Sequence, residues 1–285
     1  MFDKPFRWNL THRHHLGSLL DGERASIYSC FYDDLLRCCS KVLAFAGDSN
    51  LVFVGRSPEN VFDFLSGLLF DSSWFERLEL LHFSMRFREE SKIKKEYPEA
   101  IDAMRQYLGH LGLHPAAIAT KNRPVAFIDL VLSGDTFGRL ITFLFNWSNE
   151  IGYEWQAVSR RIRIVGITIR TKTSPNTWRW QQHADWVKLL DSRAIKNISV
   201  SRDFWSYLGD YQPKVSRSYT PDRWGDPSLA MPGYTADQLK ALRLAFDLFE
   251  LGRTKDKRLE CVSHLTEEAA MKNAWFRNLV MELSS

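Results

Sequence analysis

Short, nearly unbroken apolar runs recur along the chain at 51–54, Val125–Leu130 and Ile162–Ile169, with polar or glycine-bearing turns after the first two. A run that is apolar on both sides of its backbone reads as a parallel strand buried from both faces, not as a half-exposed antiparallel one. Residues 78–83 and 197–200 are two further strand candidates, and β-branched residues enrich 162–169. Apolar positions at helical spacing (Ile27, Phe31, Leu35, Leu36, Val42, Leu43) predict a helix over 25–45. Ser57 followed by Pro58 predicts an N-cap and first turn for a helix through Leu69. Helices are also predicted over 98–111, 136–151 and 180–190, with a short turn opened by Pro115. Thr235 with Gln238 forms a capping box for a helix through Leu251, and Thr266 with Glu267 opens a last one. Strands alternating with helices predict an α/β fold, a parallel sheet with helices on both faces.

The segment between the last strand and the capping box, 202–233, breaks this rhythm. It is rich in Gly, Pro, Ser, Tyr and Trp, too aromatic for a disordered linker, and reads as an ordered loop or lid. The organisation expected is an extension over 1–24, an α/β core over 25–200, and an aromatic-rich cap with C-terminal helices over 201–285. Composition adds little except aromatics, which reach 13% with 10 Trp, most of them after position 147. Most of these rings serve packing; one or two could stack on a ligand ring. The net charge of +4 suits phosphorylated ligands but is too small to argue for nucleic acid. Cys30, Cys38, Cys39 and Cys261 lack C-x-x-C spacing and read as reduced thiols of a cytoplasmic protein. Residues 1–15 hold no signal-like apolar core, and no run of about 18 apolar residues occurs, so no membrane span is expected. His12, His14 and His15 cluster without a cysteine partner or a fixed scaffold, and His82 interrupts an apolar strand as a core histidine would.

The chemistry concentrates after the central run. Asp129 is followed by Leu130-Val131-Leu132 and then Ser133-Gly134-Asp135-Thr136, where an amphipathic helix begins. Backbone N–H groups, two hydroxyls and a glycine at a helix N-terminus are equipment for a phosphate. An acid with Ser four, Gly five and Thr seven residues on resembles the phosphoribosyl-pyrophosphate (PRPP) loop of type I phosphoribosyltransferases. The turn Gly55-Arg56-Ser57 after the run at 51–54 is similar to that family's pyrophosphate-receiving loop. The resemblance covers roughly 25–200 and implies a phosphoribosyltransferase-like core.

It further implies transfer of a phosphoribosyl group from PRPP to an acceptor, with release of pyrophosphate. Ser133, Gly134, Asp135 and Thr136 would hold the 5′-phosphate, and Arg56 and Ser57 the pyrophosphate. Asp129 would meet the ribose hydroxyls and the Mg²⁺ carried by PRPP, Arg86 would belong to a basic stretch (86–95) closing over the site, and Trp205 or Trp178 would stack on the acceptor. Three positions depart from the family. Ile128 replaces the first acid of its pair, Leu132 stands where 6-oxopurine-salvage members carry an acid, and Asp135 puts a carboxylate into the phosphate loop. The acceptor stays open, as does a homodimer. Two other readings remain: a regulatory protein of the same fold that binds a sugar phosphate or nucleotide without catalysis, and an interaction module using the aromatic C-terminal third.

Overall fold

The computed structural model describes residues 4–85, 89–170 and 180–285. Five strands form one all-parallel sheet: β1 (Asn50–Val54), β2 (Leu78–Leu81), β3 (Val125–Leu130), β4 (Ile162–Ile169) and β5 (Ile195–Val200), in the spatial order β2-β1-β3-β4-β5. Phe53 is in register with both Leu80 and Ile128, and Asp129 with Gly166. Besides a single turn at Arg13–Leu16, the α-helices among the described residues are α1 (Phe31–Ala46), α2 (Glu59–Leu68), α3 (Glu90–Glu96), α4 (Ala100–His110), α5 (Pro115–Thr120), α6 (Asp135–Glu150), α7 (Trp155–Ser159), α8 (Arg202–Ser206), α9 (Ala236–Arg253), α10 (Lys255–Thr266) and α11 (Ala274–Ser284).

Strand alternation sorts the core into two layers. Phe53, Leu80, Ala126, Ile128 and Ile167 face α1 and α2, backed by α10 and α11. Val54, Leu81, Phe127 and Ile164 face α4 and α6. The parallel sheet covered on both faces is therefore present as the apolar runs imply. Because α2 follows β1 onto one face and α6 follows β3 onto the other, the chain reverses direction between β1 and β3. In open α/β sheets that reversal opens a crevice beyond the carboxyl ends of the strands, where ligands bind.

Several local expectations are corrected. Residues 25–30 precede α1 instead of joining it, and Ser57 makes no cap bond because α2 starts two residues later, after a turn through Pro58. The stretch 180–190 forms two 3₁₀ turns, since Trp180 and Trp186 stack on each other there with ring centroids 5.6 Å apart. The polar stretch around Lys92 contains the short helix α3, whose Glu90 lies near Lys94 and Arg105. Thr266 ends α10 and does not open a helix; the last helix begins at Ala274. All four cysteines are free thiols. No helix among the described residues is long and apolar enough to cross a membrane.

The crossing of α2 and α9 holds the layer that presents the β1 turn. A methyl group at Gly67 would collide with the carbonyl of Phe249, and one at Gly252 would lie 2.5 Å from Phe64 O and 2.8 Å from Leu68 N. The two backbones touch because neither glycine carries a side chain. In an ordinary helix interior Gly→Ala stabilises by about 0.5–1 kcal/mol. Here the sign reverses: Gly67→Ala and Gly252→Ala should each cost about 1–3 kcal/mol through overpacking. Gly109→Ala in α4, where an added methyl meets nothing within 4 Å, should be neutral or stabilising. Thermal melts of the three variants measure this, and equal effects at all three positions would refute the close crossing.

Candidate functional site

The site is built at the carboxyl ends of β1 and β3. After Val54 the ladder continues for one bond, Gly55 N–H donating to Leu81 O at 2.8 Å. Gly55 then takes φ +76°, a left-handed conformation that turns the chain sharply into Arg56 and Ser57, both half-buried. Glu59 opens α2 and is fully buried, its carboxylate accepting from the backbone N–H groups of Val215 (2.8 Å) and Ser216 (3.1 Å). Through these two bonds a distant segment, 207–219, is drawn over the β1 turn as a cover. Gln212 adds a long contact from Nε2 to Arg56 O at 3.5 Å.

Asp129 stands one residue before the end of β3 and is 5% exposed. Its Oδ1 accepts from Leu130 N–H at 2.7 Å. Burial pushes its carboxyl up to about 8, against the Leu130 amide, the Thr136 hydroxyl and the charge of Lys214, which all favour ionisation. Lys214, from the cover segment, is the complement. Burial lowers its ammonium to about 8, while Glu59, Asp129 and Asp210 pull it up and Arg56 pushes it down. The Lys214 Nζ donates to Leu208 O at 2.6 Å. Arg56, Glu59, Asp129 and Thr136 thus act within one electrostatic neighbourhood around Lys214 and Asp129. Tyr207 OH, Gln212 Oε1 and Ser216 Oγ, all in the cover, are buried polar atoms without a hydrogen-bond partner, the kind of orphan that native folds satisfy with water or ligand.

Residues 133–136 are arranged differently from one another. Gly134 has φ +85° and precedes the first residue of α6. What comes close to it is Trp180: a methyl at Gly134 would lie 2.5 Å from Trp180 Cε3. One turn on, a methyl at Gly138 would lie 2.6 Å from Trp186 Cδ1. The two glycines seat the stacked indoles against α6, and Trp180 Nε1–H donates to Asn197 Oδ1 at 2.9 Å. Asp135 is exposed, and its Oδ2 accepts from Ser133 Oγ at 2.8 Å. This carboxylate is the anion at the α6 N-terminus, where the helix dipole favours one. Trp205 lies at the end of β4, its Nε1–H donating to Ile167 O at 3.2 Å, with Gly209 between its ring and Leu130. Arg86 and Trp178 lie outside the described residues.

Sequence reasoning missed Lys214, Glu59, Trp180 and Asn197. Lys214 sits in an aperiodic segment with no motif around it, and its role comes from burial beside acids far away in sequence. In comparisons with known proteins, no family model, no curated protein and no solved structure matches this chain.

The two shifted groups make stability depend on pH in opposite directions. Asp129 binds its proton more tightly folded than unfolded, so its contribution is full below its ordinary value of 3.8 and is lost as pH rises toward about 8. Lys214 binds its proton less tightly folded, so stability returns as pH rises from about 8 toward its ordinary 10.5. Asp129→Asn should therefore raise stability by at least about 1 kcal/mol at pH 8 and by little near pH 4. Denaturant melts across this range test it; a stability difference that does not vary with pH would overturn the assignment of a buried, protonated Asp129.

Proposed function

We propose that the protein is a phosphoribosyltransferase-like enzyme that moves a phosphoribosyl group from PRPP to an acceptor and releases pyrophosphate. The observation that carries the reading is the meeting of two turns at the β1/β3 reversal. One bears Arg56 and Ser57; the other follows Asp129 and opens a 16-residue helix through Ser133–Thr136. In this reading the α6 N-terminus takes the 5′-phosphate with the hydroxyls of Ser133 and Thr136. Arg56 and the backbone at Ser57 take the pyrophosphate, and Asp129 meets a ribose hydroxyl. The bond from the anomeric carbon to pyrophosphate breaks as the bond to the acceptor forms. Charge develops on the sugar and the leaving group, so fixed anion holders and exclusion of water supply most of the rate. In this reading Trp205 borders the acceptor.

Magnesium enters in this reading with PRPP, held mostly by its phosphates. Among the described residues no group of three or more His, Cys, Asp or Glu side chains could hold a metal, and Asp129 is the one acid within β3. Binding without transfer is the second reading, and Lys214 favours it: it sets a protein cation beside an acid that lacks its usual partner, Ile128 being apolar.

PRPP or ribose 5-phosphate at ~100 times its dissociation constant should add about 2.7 kcal/mol to stability. The incoming phosphate must displace the Asp135 carboxylate from Ser133, so Asp135→Asn should tighten binding. Thr136→Val, losing a hydroxyl to a charged partner worth roughly 1.5–3 kcal/mol, should weaken it about tenfold or more. Pyrophosphate release on adding candidate acceptors separates enzyme from binder. No thermal shift with PRPP, ribose 5-phosphate or nucleotides, with or without magnesium, removes both readings.

A further inference from the structure

The β2 edge of the sheet carries a second polar centre that the sugar-phosphate reading does not use. Residues 4–11 lie across α2 and β2 as a strap. It is tied by Phe6 N–H to Leu229 O (2.7 Å), by Lys4 to Glu79 (2.6 Å) and by Arg7 Nη2 to Asp63 Oδ1 (2.5 Å). Beneath it is a cavity of about 640 Å³, within the size range of small-molecule sites. Its walls include the rings of Phe6, Trp8, Phe62 and Phe249, and its polar lining includes Arg7, Asp63 and His82.

Those three side chains have unfilled hydrogen-bonding capacity. Asp63 is fully buried and His82 is 1% exposed. Asp63 Oδ2, Arg7 Nη1 and both ring nitrogens of His82 have no hydrogen-bond partner. Each orphan costs roughly 1–3 kcal/mol if left so, and four lining one cavity point to something that fills them. Their types define the complement. Burial and Glu59 push the Asp63 carboxyl up to about 7 while Arg7 favours its ionised form, in which Oδ2 accepts; Arg7 Nη1 donates. His82 is held neutral by burial beside Arg7, Lys4 and Arg56, and so offers one donor and one acceptor. Charge is balanced as well, Arg7 against Asp63 and Lys4 against Glu79, so the lining offers an anion or a cation no net attraction. Aromatic walls suit a flat ring.

We propose that the cavity beneath residues 4–11, bounded by Arg7, Asp63 and His82, binds an uncharged planar heterocycle carrying a hydrogen-bond donor and acceptor on one edge, the chemistry of a free nucleobase. Asp63 takes a ring N–H and Arg7 donates to the neighbouring carbonyl or ring nitrogen. Buried groups that require both partners reject a ring lacking that edge. The site is independent of the Ser133–Thr136 loop.

Hypoxanthine, cytosine and uracil are the probes, with toluene as a flat ring without a polar edge. At least one base should bind saturably, raise the melting temperature, quench Trp8 emission and shift the imidazole nitrogen resonances of His82 in the unaltered protein; toluene should do none of these. Asp63→Asn and Arg7→Met should each weaken that binding about tenfold or more, while Thr136→Val leaves it unchanged. Because Asp63→Asn can destabilise the fold, the His82 resonances of the unaltered chain provide a readout that needs no variant. If no base moves those resonances at millimolar concentration, water alone fills the cavity and the proposal is overturned. Equal binding of toluene, or undiminished binding in a folded Arg7→Met protein, overturns it too.

Discussion

A single buried carboxylate, that of Glu59, governs how this fold is closed. It sits in the first turn of α2, where the helix dipole favours negative charge, and it spends its hydrogen-bonding capacity on two backbone amides far along the chain. Removing it would leave the buried N–H groups of Val215 and Ser216 without partners, and residues 207–219 held over β1 and β3 by their apolar side chains alone at that point. Its charge reaches further than its bonds. It supports the Lys214 ammonium on one side and opposes ionisation of Asp63 on the other. The strand reversal and the cavity under the strap therefore share one electrostatic hinge, although their side chains come from different parts of the molecule.

Near neutral pH the interior on the crevice side is balanced, not strongly charged. Asp129 and Lys214 are each moved by burial toward the same point, about 8, from opposite directions. Below about pH 8 both hold their protons, so Asp129 is neutral and Lys214 charged; a dianion at the α6 N-terminus would tighten both protons and a cation beside Asp129 would loosen both. Asp135 complements this arrangement from outside, holding the loop hydroxyl of Ser133 and supplying the helix terminus with an anion of its own.

What could be read directly from the residues was what local physics determines. Val125–Leu130 is a strand buried from both faces at nearly every position, and Ile162–Ile169 is buried so from Ile164 to Ile167, which is what a covered parallel sheet asks for. The capping box at Thr235 is satisfied by Gln238 within four residues and is found in place. The failures share a long-range cause. Residues 180–190 carry enough apolar side chains to pass for a helix, but Trp180 and Trp186 are aligned by their fit against Gly134 and Gly138, a tertiary fact. Lys214 is invisible to pattern because its environment is made by Glu59 and Asp129. Thr266 and Glu267 resemble a helix start, yet the helix beginning at Lys255 already runs through Thr266.

The contact of α2 with α9 has a kinetic consequence. Gly67 and Gly252 meet across almost the whole intervening chain, and that stretch contains β2 through β5 and the cover segment. Loop-closure entropy must be spent before so distant a contact returns any stability. Pairings between strands that are near in sequence close shorter loops, so the contact of α2 with α9 is expected to form late, leaving an interval in which the strands are paired and α9 is undocked. Synthesis from the N-terminus lengthens that interval, since α9 is among the last elements made.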